Sequence, residues 1–225
     1  MKTRPVVLHT DDNEAYGEFA QTDLARFGVD VETFNANEKG YEAAKAKVLP
    51  EGPYYDAVIA DYETYSSMTG GQLIAALVRA NLDGRPLVKE ILVLSSSADR
   101  LGILQGLREA FAEQQIGEAH TAQYMDTVQV FDKQTERRLA ELYVALHTLY
   151  PEETKEIKRV DMIHWAGFEV NHRGDTILKD YFELDEVMGK KFDLMERKKL
   201  TLPNIIKEIV PFCHRDEGKT PGMVK

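Results

Sequence analysis

Cysteine is nearly absent, with Cys213 standing alone. A single thiol excludes a disulfide framework within the chain and fits a reducing compartment. Long apolar runs are missing too: no stretch approaches the roughly 18 consecutive apolar residues a membrane span needs. The opening MKTRPVVLHTDD turns acidic before an apolar secretory core or a small-residue cleavage site can form. These absences lead to the expectation of a soluble, cytoplasmic protein with no membrane partner. Basic charge is also short, with 28 Lys and Arg against 38 Asp and Glu, for a formal charge of −10. The deficit is uneven. Residues 1–150 hold 14 basic and 23 acidic side chains, whereas residues 151–225 hold 14 and 15. An acidic front half lacks the clustered Lys and Arg that nucleic acid requires. It can instead hold a divalent cation or face a basic partner.

What is present suffices for a core. Apolar residues make up 43% of the 225, which argues against wholesale disorder, and the length suggests one large or two small domains. Short apolar, β-branched runs predict strands at 5–10, 29–34, 55–60, 91–94 and 127–131. Helical spacing predicts helices over 15–27, 38–48 and 72–81, another through Leu104, Leu107 and Phe111, and one over 135–150. Gly28 is the expected stop of the first helix, and Asp99 the expected cap of the fourth. Residues 62–71 and 115–124 read as loop and connection. Strands alternating with helices imply right-handed crossovers and a parallel sheet covered on both faces. The expected fold is therefore α/β and doubly wound. Ligands of such sheets bind beyond the C-terminal strand ends.

Polar groups gather at those ends. The first strand ends in Asp11-Asp12, the third in Asp61 and the fourth in Ser95; the fifth ends beside Lys133. Three converging carboxylates repel one another, and a hard divalent cation relieves that. A lysine and a hydroxyl beside them suit phosphoryl oxygens, and a carboxylate can itself be the nucleophile that forms an acyl phosphate. The set fits Mg²⁺-assisted phosphoryl transfer onto an aspartate.

The ordered motifs VVLHTDD, YDAVIAD, ILVLSSS and VFDK resemble the receiver domain of bacterial two-component response regulators, over about residues 4–150. The resemblance implies a flavodoxin-like, five-stranded parallel sheet. It implies that Asp61 accepts a phosphoryl group from a histidine kinase or phosphotransfer protein. It implies Mg²⁺ held by Asp11, Asp12, Asp61 and the backbone carbonyl of Glu63. Lys133 then pairs with Asp61 or its phosphate, and Ser95 hydrogen-bonds the phosphoryl group. Glu63 and Ser97 occupy positions where the family tunes dephosphorylation. Enzymatic activity beyond self-phosphorylation and autodephosphorylation is not implied. Two departures stand out. Gln134 follows Lys133 where the family has proline, and Val130 replaces the switch aromatic; strand alternation turns the adjacent Phe131 to the other face. His9 reads as a packed strand histidine.

Residues 151–225 read as a separate output or interaction module of α+β type. Residues 152–159 read as charged helix. The runs 162–170 and 176–178 flank a turn-like NHRGD and suggest a hairpin. Further helices are expected over 183–199 and 202–210, the latter entered through Pro203. The basic cluster Lys190, Lys191, Arg197, Lys198 and Lys199 includes acids and reads as a solvated face. The leading expectation is a response regulator, with homodimerisation left open. The alternatives are a receiver-like adaptor acting only through protein contacts, and a DNA-binding regulator using the basic cluster.

Overall fold

A computed structural model describes residues 4–37, 39–40, 42–43, 55–63, 69–82, 90–97, 99–166 and 201–213. Its contacts divide the chain into two compact units, residues 1–133 and 134–225. The helix over Arg137–Leu149 is counted with the second unit, whereas the sequence reading groups it with the sheet.

In the first unit the strands are β1 (Val6–Asp11), β2 (Asp30–Asn35), β3 (Ala57–Asp61), β4 (Glu90–Ser95) and β5 (Val128–Asp132). Helices among the described residues include α1 (Glu14–Ala25), α2 (Gly70–Leu82), α3 (Arg100–Glu113) and α4 (Glu118–Thr127). All strand pairs are parallel, in the order β2-β1-β3-β4-β5. This is the expected flavodoxin-like sheet. The order reverses direction beside β1, which places the switch point between β1 and β3.

Strand alternation sorts the side chains into two buried layers. Leu8, Val58, Ala60, Ile91, Val93, Val128 and Val130 join one core with Leu73, Ile74, Leu77, Ile103, Leu107 and Phe111. Val7, Ile59, Leu92, Leu94 and Phe131 lie on the alternate positions and are buried too. Central strands with both faces covered have no room for a polar face, which is why they read as continuous apolar runs. Val130 and Phe131 thus face opposite ways, as alternation predicted.

Local chemistry sets the helix ends. The Asn13 side chain accepts the Ala15 amide at 3.1 Å and starts α1. Gly28, at φ +81°, follows the end of α1, a backbone conformation that costs glycine little. Asp99 caps α3 as expected, accepting the Gly102 amide at 2.9 Å.

The interval 115–124 differs from the sequence reading. Gln115 takes φ 56°, and the Ile116 amide donates back to the Phe111 carbonyl at 3.0 Å while Gln115 donates to Ala112 at 2.9 Å. This is a Schellman ending with glutamine in the left-handed position. Helix α4 then follows, where a connection was expected. Only Tyr124 of α4 is buried, so the segment lacks the apolar stripe that announces a helix.

The second unit is helical among its described residues: α5 (Arg137–Leu149), α6 (Pro151–Thr154), α7 (Arg159–Ala166) and α8 (Leu202–Cys213). The expected charged helix over 152–159 breaks after Thr154. The expected strand beginning at Met162 is instead helical through Ala166. The reason lies at its start: the Asp161 side chain accepts the Lys158 amide at 2.7 Å, half of a capping box. Met162, Ile163 and Trp165 are then buried from one helix rather than from a strand. Leu202, Ile205 and Ile209 form the buried stripe of α8. The remainder of the expected hairpin, the helices over 38–48 and 183–199, and the basic cluster 190–199 lie wholly or mostly outside the described residues.

Candidate functional site

Strand register brings the expected groups to one edge. Asp11 pairs with Asn35 at the end of β1, Asp61 with Leu94 at the end of β3, and Ser95 with Asp132 at the ends of β4 and β5. One residue on, the Lys133 amide donates to the Ser95 carbonyl at 2.9 Å, which fixes the backbone that carries the lysine.

Lys133 Nζ sits among three carboxylates, 2.7 Å from Asp61 Oδ2, 3.0 Å from Asp11 Oδ1 and 3.2 Å from Asp12 Oδ1. Asp61, Asp11 and Lys133 are buried, and Asp12 is partly exposed. Oxygens of all three carboxylates lie within 4.8 Å of one another. The Asn13 amide donates to Asp11 Oδ1 at 2.8 Å, a local Asx turn that holds this carboxylate. Asp11 Oδ2 and Asp61 Oδ1 are buried and accept no hydrogen bond.

Titration follows from that crowding. Burial raises the Asp61 carboxyl to about 7; the Lys133 hydrogen bond and charge oppose this, and the charges of Asp11 and Asp12 reinforce it. Burial likewise raises Asp11 to about 6, against the Asn13 amide and Lys133. For the partly exposed Asp12, burial is outweighed by Lys133, and its carboxyl lies below the usual range. Burial works against the Lys133 ammonium, but Asp61 and Asp11 together outweigh it and raise its proton affinity.

One ammonium against three carboxylates leaves an excess of two negative charges if all ionise. Two buried carboxylate oxygens are still without donors. A hard, oxygen-seeking divalent cation fits that donor set.

Sequence reasoning named Asp11, Asp12, Asp61, Ser95, Glu63 and Lys133. The register aligns Asp11, Asp61, Ser95 and Lys133, and the lysine draws in Asp12. Ser95 Oγ donates to Glu63 Oε1 at 2.8 Å, so Glu63 brings its side chain to the edge. Two contributors were not foreseen. The Tyr16 ring lies 5.1 Å from Lys133 Nζ, a cation–π contact. Gly70 opens α2 against the Asp61 backbone; a Cβ built there would overlap the Asp61 carbonyl oxygen. The sequence signal for Tyr16 is its place in the first turn after the Asp pair, and for Gly70 the Gly-Gly opening of α2.

No protein-family model matches the chain, and no curated protein matches it. Solved structures similar to it include the Thermotoga maritima response regulator DrrB, at 12% identity and TM-score 0.44, covering 66% of this chain and 54% of that one. The receiver domain of a Francisella response regulator matches at 17% identity and TM-score 0.41, covering 64% and 99%. RcsB of Salmonella enterica, solved bound to a promoter, matches at 14% identity and TM-score 0.39, covering 93% and 99%.

Proposed function

We propose that this chain is a two-component response regulator whose receiver, residues 1–150, is phosphorylated on Asp61. Residues 151–225 form its output or interaction module. The observation that carries the reading is the Lys133 ammonium held 2.7 Å from a buried Asp61 among two further carboxylates at one sheet edge. That is the set of groups acyl-phosphate chemistry needs.

An Asp61 oxygen attacks the phosphorus of the donor, forming the O–P bond of an acyl phosphate. With a phosphohistidine donor on a kinase or phosphotransfer protein, the P–N bond breaks and its electron pair stays on the imidazole. Lys133 balances the charge arriving on the phosphoryl oxygens. The Ser95 hydroxyl is the donor available to one of those oxygens. Asp11, Asp12, Asp61 and the Glu63 carbonyl are the residues that would hold Mg²⁺. When bound, this ion supplies positive charge against the phosphoryl oxygens and lowers the repulsion among the carboxylates. Val130, packed in the core where the family carries an aromatic switch, leaves output to loop movement at Ser95.

The test is intact-mass measurement of the whole chain after incubation with acetyl phosphate and Mg²⁺. One added phosphoryl group, with acetate as leaving group, is expected in wild type and not in Asp61→Asn. Absence of any adduct in wild type overturns the reading.

A further inference from the structure

The hydroxyl that the phosphoryl group needs is already engaged. Ser95 Oγ donates to Glu63 Oε1 at 2.8 Å, and the Ser96 amide donates to Glu63 Oε2 at 2.9 Å. The Ser95 oxygen in turn accepts the Ser97 amide at 3.0 Å. One carboxylate therefore ties the segment after β3 to the segment after β4. Ser95 is fully buried, and its hydroxyl has a single proton to donate. While that proton is given to Glu63, it is not given to a group on Asp61. Both acceptors are anionic, so the exchange is between two charge-assisted hydrogen bonds of comparable strength.

We propose that Glu63 is a latch on the Ser95 hydroxyl, closed in the unmodified protein and opened by phosphoryl transfer to Asp61. This rests on the receiver reading above. In the unmodified chain the latch fixes Ser95, Ser96 and Ser97 against residue 63. A phosphoryl group on Asp61 takes the hydroxyl, and its charge repels the carboxylate left behind. Residues 95–97 then lose their tie to the segment after β3. Glu63 is a positioning residue in this scheme, and it opposes the modified state because every opening costs the bond it makes.

The experiment titrates the whole chain with beryllium trifluoride in the presence of Mg²⁺, and follows amide hydrogen exchange at Ser96 and Ser97 without the fluoride. Glu63→Ala is expected to lower the half-saturating concentration about tenfold and to speed Ser96 exchange by a similar factor. Glu63→Asp keeps the charge on a side chain one methylene shorter, and is expected to shift both readouts in the same direction. In a Ser95→Ala chain, Glu63→Ala is expected to change the titration much less than it does in wild type, since the contested hydroxyl is gone and only charge repulsion remains. If wild type binds the fluoride and Glu63→Ala binds it no better, the latch is overturned and the receiver reading survives. If Glu63→Ala tightens binding while Glu63→Asp matches wild type, the effect is charge alone and the latch is overturned. If wild type does not bind, the receiver reading falls and the latch with it.

Discussion

Lys133 and Glu136 stand three residues apart, yet each belongs to a buried ionic cluster of a different kind. Around Lys133, one ammonium faces the carboxylates of Asp11, Asp12 and Asp61. Beside Glu136, two acid–guanidinium pairs stand among the described residues. Glu136 Oε2 accepts Arg159 Nε at 2.7 Å, and its other oxygen accepts Arg159 Nη2. Arg137 Nη1 stands 2.9 Å from Glu141 Oε1, one helical turn away. In each pair of the second set one guanidinium charge meets one carboxylate charge. The first sets three carboxylates against one ammonium. Paired charges hold structure; an excess of carboxylates is a repulsion that a cation relieves. Balance, more than burial, separates the two.

Lys133→Met should break the comparison most strongly. It leaves three carboxylates together with no cation, and a loss of about 3–5 kcal/mol is expected in urea unfolding without divalent ions. Millimolar Mg²⁺ should restore a large part of that loss.

Glu136→Gln removes the charge that faces Arg159. A loss of roughly 2 kcal/mol is expected from the same measurement. Added Mg²⁺ should not change it, and recovery with Mg²⁺ would sink the distinction drawn between the clusters.

The smallest effect is a pH dependence. Asp61 and Asp11 titrate in the folded chain at about 7 and about 6, above their ordinary value of 3.8. The folded state therefore binds protons that the unfolded state has already lost. Stability from these groups is full below pH 4 and falls as pH rises to about 7. Asp61→Asn should reduce that fall and stabilise the metal-free chain at pH 8 by on the order of 1 kcal/mol. Thermal melts across pH, with and without Mg²⁺, measure it, and Mg²⁺ should flatten the wild-type slope.

Much of the molecule was legible because the sheet is buried on both faces. Runs such as VVLHT and ILVLS admit few other placements, and each leads into polar residues at the C-terminal strand end. Helix α4 was not legible, since a helix with only Tyr124 buried leaves no periodic trace. Helix α7 was misread because its apolar run resembles a strand, and only the Asp161 cap at its start says otherwise. At the site, Asp11, Asp61 and Lys133 were readable as strand-end residues. The Glu63 carboxylate was not, because a loop side chain chooses its partner from groups far away in sequence.

The sequence by itself determined which residues are apolar, how they alternate, and that acids, a serine and a lysine stand at strand ends. Those are consequences of period and burial, which operate within a few residues. Tertiary structure decided that the ends meet at one edge, that Lys133 reaches Asp61 across 72 residues and Asp12 across 121, and that Glu63 takes the Ser95 hydroxyl. Parallel pairing in register brings those groups within hydrogen-bond distance. Burial then makes each unpaired charge costly enough to matter.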